Sequence, residues 1–220
     1  MVWSLQMRPQ TRNMSAHIHY LYDPFCGWCY GASPAIAYLS AMEGVSLEIL
    51  PTAMFEGARP LDPSFVRHII EADKRITQMT GQVFSQAYED KILKAPGQII
   101  ESRPAGLALS AVHLSAPDQE VKALKAIQEG RYIHARNIAD KAVLADILQN
   151  LGLSEAAQCF LADDQALHQA HQKRTQKGQA LMTRFAARGV PCLILNNEAG
   201  SRQITSDYLF GKPEALKALI

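Results

Sequence analysis

Two cysteines separated by two residues, Cys26 and Cys29, are the side chains in this sequence best suited to chemistry. They follow an apolar, alternating run (Ala16–Leu21) that predicts a short strand, and they precede a segment (Tyr30–Met42) that predicts a helix. The pair is therefore expected on the first helical turn, where unpaired N–H groups and the helix dipole stabilise a thiolate. At this spacing the two sulfur atoms lie on one face and can form a disulfide. One thiolate can attack a substrate disulfide, and the other thiol can then resolve the mixed disulfide.

A zinc site is the alternative interpretation of this pair. A structural zinc ion needs four ligands, usually including a second Cys-x-x-Cys or two histidines. Cys159 and Cys192 are isolated in the sequence, and His168 and His171 form only an i,i+3 pair on a charged predicted helix. Four cysteines in 220 residues are also too few for a disulfide scaffold. The pattern favours a redox pair, with no metal ligands and no dissociable cofactor.

The other two cysteines and the aspartate near the pair have mainly structural interpretations. We predict Cys159 and Cys192 to be buried apolar residues, although Cys192 could also act as a third redox thiol. Asp23 precedes Pro24 and is expected to fix its loop through an Asx turn, with tuning of the cysteines as the alternative.

Histidines and basic residues of the central span are predicted to face solvent. We expect exposed or half-buried helix faces for His113, His134, His168 and His171. The basic run Arg131, His134, Arg136 is predicted to be a solvated face. Its alternative role is to attract an acidic group of glutathione or a peptide.

Composition limits the class of protein. With 48% hydrophobic residues the chain can bury a sizeable core, and its net charge of +1 argues against a dedicated nucleic-acid or anionic-membrane binder. No window approaches the ~18 apolar residues of a membrane span. Residues 1–14 lack the apolar segment of a secretory signal and are predicted to be a disordered leader, in which Met14 is an alternative start. We therefore expect a cytoplasmic protein.

Strands are predicted near both ends of the chain. Val45–Leu50 alternates like a second strand, and the strand–helix–strand unit should be right-handed with parallel strands. Cys192–Leu195 and Arg202–Thr205 are predicted to form an antiparallel hairpin around turn residues 196–200. A closing helix is expected over Pro213–Ile220.

The span between these strands shows helical patterns and no strand pattern. Breaks at Pro96-Gly97, Pro117 and Leu151-Gly152 separate several of its helices. The predicted helices are Pro63–Met79, Gln82–Leu93, Ser102–Leu114, Asp118–His134, Asp140–Asn150, Ser154–Ala162 and Asp164–Ala187.

This order of elements resembles a thioredoxin fold interrupted by a helical domain. The resemblance is carried by Phe25-Cys26-Gly27-Trp28-Cys29-Tyr30 and, far downstream, by Gly189-Val190-Pro191. The chain resembles the DsbA family of thiol-disulfide oxidoreductases, and within it a signal-less branch described as predicted protein-disulfide isomerases. The resemblance covers roughly residues 16–220. It implies an α/β protein in which residues 15–55 and 178–220 form a thioredoxin-like domain (βαβ … ββα), and residues 56–177 form an all-helical insertion domain.

The resemblance also implies roles for individual residues. Cys26 matches the family's exposed nucleophile, and Cys29 matches its more buried resolving thiol. Pro191 matches the cis-proline that lies against the disulfide. In that position it would leave the Val190 backbone free to pair with an extended substrate segment.

Two features depart from the family's periplasmic oxidant. That relative has Pro-His between its cysteines, and its His stabilises the thiolate, whereas Trp28 offers no such charge. We therefore expect a less oxidising pair in this chain. Trp28 and Phe25 are still expected to contact substrate. The second departure is Cys192, which directly follows Pro191.

The sequence thus predicts a cytoplasmic thiol-disulfide oxidoreductase. In a reducing cytosol, reduction or isomerisation is favoured over net oxidation. Its expected partners are protein or peptide thiols and disulfides, with glutathione as a candidate reductant. The alternatives are a kappa-type glutathione transferase or isomerase, which usually carries Ser in place of the nucleophilic Cys, and a chaperone-like module that binds unfolded chains.

Overall fold

The structure is a computed structural model that describes residues 16–220. The predicted leader, including Met14, lies outside these residues. The strands in the described part are β1 (Ala16–Tyr22), β2 (Val45–Pro51), β3 (Arg59–Pro60), β4 (Ile99–Ile100), β5 (Cys192–Asn197) and β6 (Gly200–Ile204).

The main sheet has four strands in the order β2-β1-β5-β6. β1 pairs in parallel with β2 and β5 pairs antiparallel with β6, which confirms the two predicted units. The antiparallel pairing of β1 with β5, which the sequence did not predict, joins these units into one sheet. Along β1, buried and half-buried side chains alternate only in part, because helices cover both faces of this strand. This arrangement confirms the predicted thioredoxin-like α/β fold with a large helical insertion.

The helices follow the predicted pattern, with shifted ends. The α-helices are α1 (Gly27–Gly31), α2 (Ser33–Ala41), α3 (Pro63–Thr80), α4 (Gln86–Tyr88), α5 (Arg103–Ser115), α6 (Glu120–Tyr132), α7 (Lys141–Asn150), α8 (Ser154–Ala162) and α9 (Gln165–Arg184). A π-helical turn over Glu89–Leu93 continues α4. Short 3-10 helices cover Pro117–Gln119, Ser206–Leu209 and Pro213–Leu219.

The helix predicted over Tyr30–Met42 begins earlier and is interrupted. It starts at Gly27, directly after the first cysteine, and breaks at Ala32. Pro34 lies in the first turn of α2, where its missing N–H leaves no hydrogen bond unmade. The proline therefore begins a second helix, and the cysteine pair occupies a separate five-residue helix.

The expectation of no strand within the insertion is wrong at two places. Arg59 pairs with Ile100 and Pro60 with Ile99, and the Leu61 N–H donates to the Gln98 carbonyl at 3.0 Å. Two-residue strands are too short to show the alternation from which strands are predicted. The pair ties the loop before α3 to the loop before α5.

Several predicted exposures are also wrong. His171 is buried, and its ring lies 2.6 Å from Glu56 and 3.2 Å from Ser110, in space that Gly106 leaves open. Arg131 is buried against aromatic rings and is not part of a solvated face. Cys159 is half-buried at the edge of the core. Helix amphipathicity places these residues on a helix, but only tertiary packing decides which polar groups become enclosed.

An aromatic cluster fixes α1 against the insertion. The Tyr30 ring stacks on Tyr132 with centroids 4.8 Å apart, and Phe84 contacts both rings edge-on at 5.3 and 5.0 Å. Each such pair contributes about 0.5–1.5 kcal/mol beyond its buried area. Tyr30 directly follows Cys29, so the cluster holds the helix that carries the second cysteine.

Candidate active site

Cys26 lies at the N-cap of α1, four residues after the end of β1. Its N–H donates to the Asp23 carbonyl at 3.1 Å, and its carbonyl accepts from the Tyr30 N–H at 3.1 Å. The residue is 7% exposed, whereas Cys29 is 1% exposed. Both cysteines are thiols in this structure. Cys26 is thus the sulfur that a substrate can reach.

Cys29 is held in its protonated form. Burial raises the pKa of its thiol well above the usual value, and the adjacent Cys26 raises it further. A backbone hydrogen bond from Asp23 and the Tyr20 hydroxyl oppose the shift. The Tyr20 hydroxyl also donates to the Cys29 carbonyl at 3.3 Å. A buried, neutral thiol is suited to resolving a disulfide that has already formed, rather than to the first attack.

The chain brings Val190 and Pro191 to the cysteines from far downstream. The Cys26 thiol donates to the Val190 carbonyl at 3.5 Å, and the Val190–Pro191 peptide is cis. Pro191 is buried and Val190 is half-buried. The Val190 backbone therefore lies beside the accessible sulfur.

Asp23 forms the expected Asx turn and also joins two further segments. Its Oδ1 accepts from the Phe25 N–H at 2.9 Å. Its Oδ2 accepts from the Phe55 N–H at 3.0 Å and from the Ser102 hydroxyl at 2.9 Å. Burial raises the pKa of this carboxyl, while these hydrogen bonds lower it. Asp23 thus fixes the loop ahead of Cys26 to the insertion.

Phe25 and Trp28 differ in their access to solvent. Phe25 is buried, with the Arg131 guanidinium 4.4 Å from its ring centroid and the Tyr132 hydroxyl donating to its carbonyl at 2.7 Å. Trp28 is half-buried, and its ring packs edge-on against Phe210 at 5.2 Å. Two openings lie beside the cysteines, and Trp28 lines both of them whereas Phe25 lines one.

One opening is a groove of about 440 Å³ beside Val190 and Pro191. Trp28 and Phe210 line its apolar part, and the exposed residues Arg188 and Asp207 place opposite charges on its walls. The sequence prediction missed the two charged residues. Arg188 belongs to the connection between α9 and β5, and Asp207 belongs to the short 3-10 helix after β6. Side-chain patterns in such short segments give no information about contacts.

The other opening is a cavity of about 140 Å³ between α1 and the insertion. Its lining includes Cys26, Trp28, Asp73 and Arg131, and also Phe25. The sequence prediction also missed Asp73. A signal was present, because Asp73 shares a helix face with Val66 and Ile76 at seven- and three-residue spacing, so a carboxylate interrupts an apolar stripe.

One compact group that could hold a metal ion occurs among the described residues, away from the cysteines. His17 and His19 of β1 and Glu48 of β2 have potential ligand atoms within 4.8 Å of one another. The Lys177 amine lies 2.7 Å from both Glu48 oxygens. The carboxylate is therefore already paired with a cation, and the group is an ion-pair network around β2.

The fold and the cysteine geometry define a thioredoxin-like disulfide oxidoreductase. The chain belongs to the DSBA-like thioredoxin domain family, which it matches over residues 17–212. It is similar to the cytosolic disulfide reductase DsbM from Pseudomonas aeruginosa, at 29% identity and a TM-score of 0.83, with 92% of this chain and 96% of that chain covered.

Two further structures are also similar. One is the same Pseudomonas reductase with GSH, at 30% identity and a TM-score of 0.82, again covering 92% and 96% of the two chains. The other is a protein from Nitrosomonas europaea, at 24% identity and a TM-score of 0.75, covering 93% and 95%, which shows the shared fold. No curated protein matches this chain. Within the described residues, no helix is long and apolar enough to cross a membrane.

Proposed function

We propose that this protein reduces or isomerises disulfides in the cytoplasm through the Cys26–Cys29 pair. The observation that carries the proposal is the asymmetry of the two thiols. Cys26 is the more accessible sulfur and contacts the Val190 carbonyl, whereas Cys29 is buried and neutral. The cytosolic setting is supported by the Pseudomonas relative, which is described as a cytosolic disulfide reductase.

The reaction follows from this asymmetry. The Cys26 thiolate attacks one sulfur of a substrate disulfide, a Cys26–substrate disulfide forms, and the other substrate sulfur leaves with the bonding electrons. Cys29 then loses its proton and attacks the Cys26 sulfur, which releases the second substrate thiol and leaves the Cys26–Cys29 disulfide. Thiols from the cytosol reduce this disulfide again. Isomerisation uses the same first step, with a second substrate thiol in place of Cys29.

Trp28, Val190 and Pro191 are proposed to hold the substrate. The Val190 carbonyl lies beside the attacking sulfur, and the groove along Pro191 runs past the Trp28 ring. An extended peptide could hydrogen-bond to the Val190 backbone by strand addition, and Trp28 would supply apolar contact. Phe25 lines the other opening, the cavity beside Cys26, and is proposed to contact the substrate from there.

Glutathione is the proposed reductant, and the groove beside Val190 is its proposed site. Glutathione carries two carboxylates and one ammonium group around a central thiol. Arg188 can pair with a carboxylate and Asp207 with the ammonium, at the two charged positions of this groove. The structure of the similar Pseudomonas reductase with GSH supports this choice.

The redox potential of the cysteine pair tests the proposal directly. Titration in glutathione buffers, followed by alkylation and mass measurement, gives the fraction of Cys26–Cys29 disulfide at each potential. We expect a value closer to that of thioredoxin, about −270 mV, than to that of DsbA, about −120 mV. A value near −120 mV would identify an oxidant and contradict the proposed direction.

A further inference from the structure

The Asp73 carboxyl lies directly against Gly27, one of the two residues between the cysteines. A Cβ atom placed on Gly27 would lie 2.7 Å from Asp73 Oδ1 and 3.3 Å from Ile76 Cδ1. Asp73 belongs to α3, so the first helix of the insertion reaches the cysteine helix through this contact. Glycine at position 27 lets a carboxyl group approach the first turn of α1.

This carboxyl is enclosed without a full set of partners. Asp73 is 6% exposed, and its Oδ2 is buried with no hydrogen-bond partner among the described residues. The Nε of the buried Arg131 is also without a partner there. Buried polar groups in folded proteins are almost always hydrogen-bonded, and an exception calls for a functional explanation.

Asp73 and Cys26 line the same cavity. This cavity holds about 140 Å³ beside the accessible sulfur, and Tyr132 and Trp28 form part of its walls. A substrate sulfur bonded to Cys26 must lie next to this sulfur. The cavity thus places an incompletely bonded carboxyl near the atoms that exchange.

The titration of Asp73 is suited to proton transfer at neutral pH. Burial raises the pKa of Asp73 to about 7, the Arg131 charge and the nearby Tyr88 hydroxyl oppose the shift, and Glu89 adds to it. His68 is the other titratable side chain of α3 that lines the cavity. An acid with a pKa near the working pH is the most effective proton donor and acceptor, and a perturbed carboxyl in a cleft is typical of functional sites.

We propose that Asp73 carries the proton of the substrate thiol during disulfide exchange at Cys26. This inference rests on the proposed function. In the reductive direction the Cys26 thiolate attacks a disulfide R–S–S–R′, the Cys26–S–R bond forms and the S–S bond breaks. The bonding electrons remain on the R′ sulfur, which takes the proton from the Asp73 carboxyl and leaves as R′–SH. Asp73 is then a carboxylate.

The reverse direction uses the same group as a base. An incoming thiol R′–SH gives its proton to the Asp73 carboxylate while its sulfur attacks the Cys26–S–R disulfide. R–S–S–R′ leaves, Cys26 recovers the electron pair as a thiolate, and Asp73 is again protonated. Substrates of this class are aliphatic thiols such as glutathione, which leave poorly as thiolates.

Leaving-group acidity provides the test. Glutathione disulfide releases an aliphatic thiolate that benefits from a proton, whereas 5,5′-dithiobis(2-nitrobenzoate) releases a stable aromatic thiolate that does not. We consider the second-order rate constant for glutathione disulfide divided by that for the aromatic disulfide. Both reactions need the Cys26 thiolate, so the ionisation of Cys26 cancels in this ratio. In the wild-type protein we expect this ratio to fall as pH rises through about 7, because the protonated form of Asp73 is lost.

Asp73→Asn should lower the glutathione disulfide rate by at least tenfold at pH 6.5 and leave the aromatic rate within about twofold. The ratio should then no longer change around pH 7. Glu71→Gln, which removes an exposed carboxylate of the same helix, is the matched control and should behave as wild type. Alkylation of Cys26 by iodoacetamide checks that the site of each variant is intact.

Each outcome has a distinct meaning. If Asp73→Asn slows both disulfides equally, Asp73 has a structural role and the inference is wrong. If the wild-type ratio is flat between pH 5.5 and 8.5, the inference is wrong even when the variant does not fold. If the wild-type protein reduces neither disulfide, the proposed function itself fails.

Discussion

The Cys26 thiol donates a hydrogen bond to the Val190 carbonyl at 3.5 Å, although 164 positions separate the two residues. The contact follows from the sheet, in which Leu21 of β1 lies opposite Cys192 of β5. Both strands end at the same edge, so the loop after β1 and the residues before β5 meet there. The pairing register thus determines which backbone group a substrate encounters at the accessible sulfur.

The unequal burial of the two thiols predicts different effects of their removal. Cys26→Ser should abolish insulin reduction, since the accessible sulfur is lost. Cys29→Ser should retain the first attack and accumulate mixed disulfides, because the resolving thiol is absent. Non-reducing electrophoresis and mass spectrometry after incubation with a disulfide-containing peptide measure the trapped species. Mixed disulfides on Cys29 in the Cys26→Ser variant would reverse the assignment of roles.

The close approach of α3 predicts the effect of adding one methyl group to α1. Gly27→Ala should lower the free energy of unfolding by about 1–3 kcal/mol, because the new Cβ meets Asp73 and Ile76 in a packed interior. Urea unfolding measures the change. Gly211→Ala is the matched control, since its nearest neighbour, the Asp207 carbonyl oxygen, would lie 3.8 Å away. Equal free energies of unfolding for the two variants would show that α3 shifts to accept the methyl group with no loss of stability.

The parts of the fold that could be predicted from sequence are those governed by local patterns. The alternation of β1 and the turn chemistry before β6 are each encoded within a few residues. The cysteine motif likewise predicted that the pair lies on the first turn of a helix. The burial of Arg131 and the approach of Asp73 to Gly27 depend on contacts between distant segments. Periodicity in a single sequence does not contain that information.

The charges of the groove predict its preference for glutathione. Arg188→Glu should raise the KM for glutathione by about tenfold, which corresponds to about 1.4 kcal/mol of lost binding, and should leave the rate with uncharged dithiothreitol unchanged. Steady-state assays of Cys26–Cys29 disulfide reduction compare the two reductants. Arg75→Glu, a reversal on the exposed face of α3, controls for net charge. An equal loss with both reductants would remove Arg188 from the binding site.

The environment of Cys192 predicts that it takes no part in exchange. The thiol is buried behind Pro191, and burial raises its pKa to about 11, so almost none of it is a thiolate at neutral pH. Cys192→Ala should leave insulin reduction unchanged. Iodoacetamide at pH 8 should label Cys26 and spare Cys192 in the folded protein, as measured by peptide mapping. Early labelling of Cys192 would support a third redox thiol.

The buried carboxyl of Asp73 predicts an unusual dependence of stability on pH. The folded protein holds this proton up to about pH 7, whereas the unfolded chain releases it near pH 3.8. The stabilisation that protonation provides is complete below about pH 3.8 and is lost as pH rises to 7, by up to about 4 kcal/mol. The side chain of Asp73→Asn cannot lose a proton. The free energy of unfolding of this variant should therefore rise relative to that of the wild type as the pH increases from 4 to 7.

Glu48 provides a control for this prediction, because its pKa is shifted in the opposite direction from that of Asp73. A hydrogen bond with His19 is the largest cause that lowers the pKa of Glu48, to about 2, so its stabilisation is present above about pH 4.5 and is lost on acidification. Glu48→Gln should therefore lower the free energy of unfolding above about pH 4.5, and its difference from wild type should shrink as the pH falls from about 5 to 2. The difference between Asp73→Asn and wild type should instead change between pH 4 and 7. Chemical unfolding at half-unit pH steps separates the two windows. Parallel wild-type and Asp73→Asn curves from pH 4 to 8 would show that Asp73 is ionised throughout that range in the folded protein.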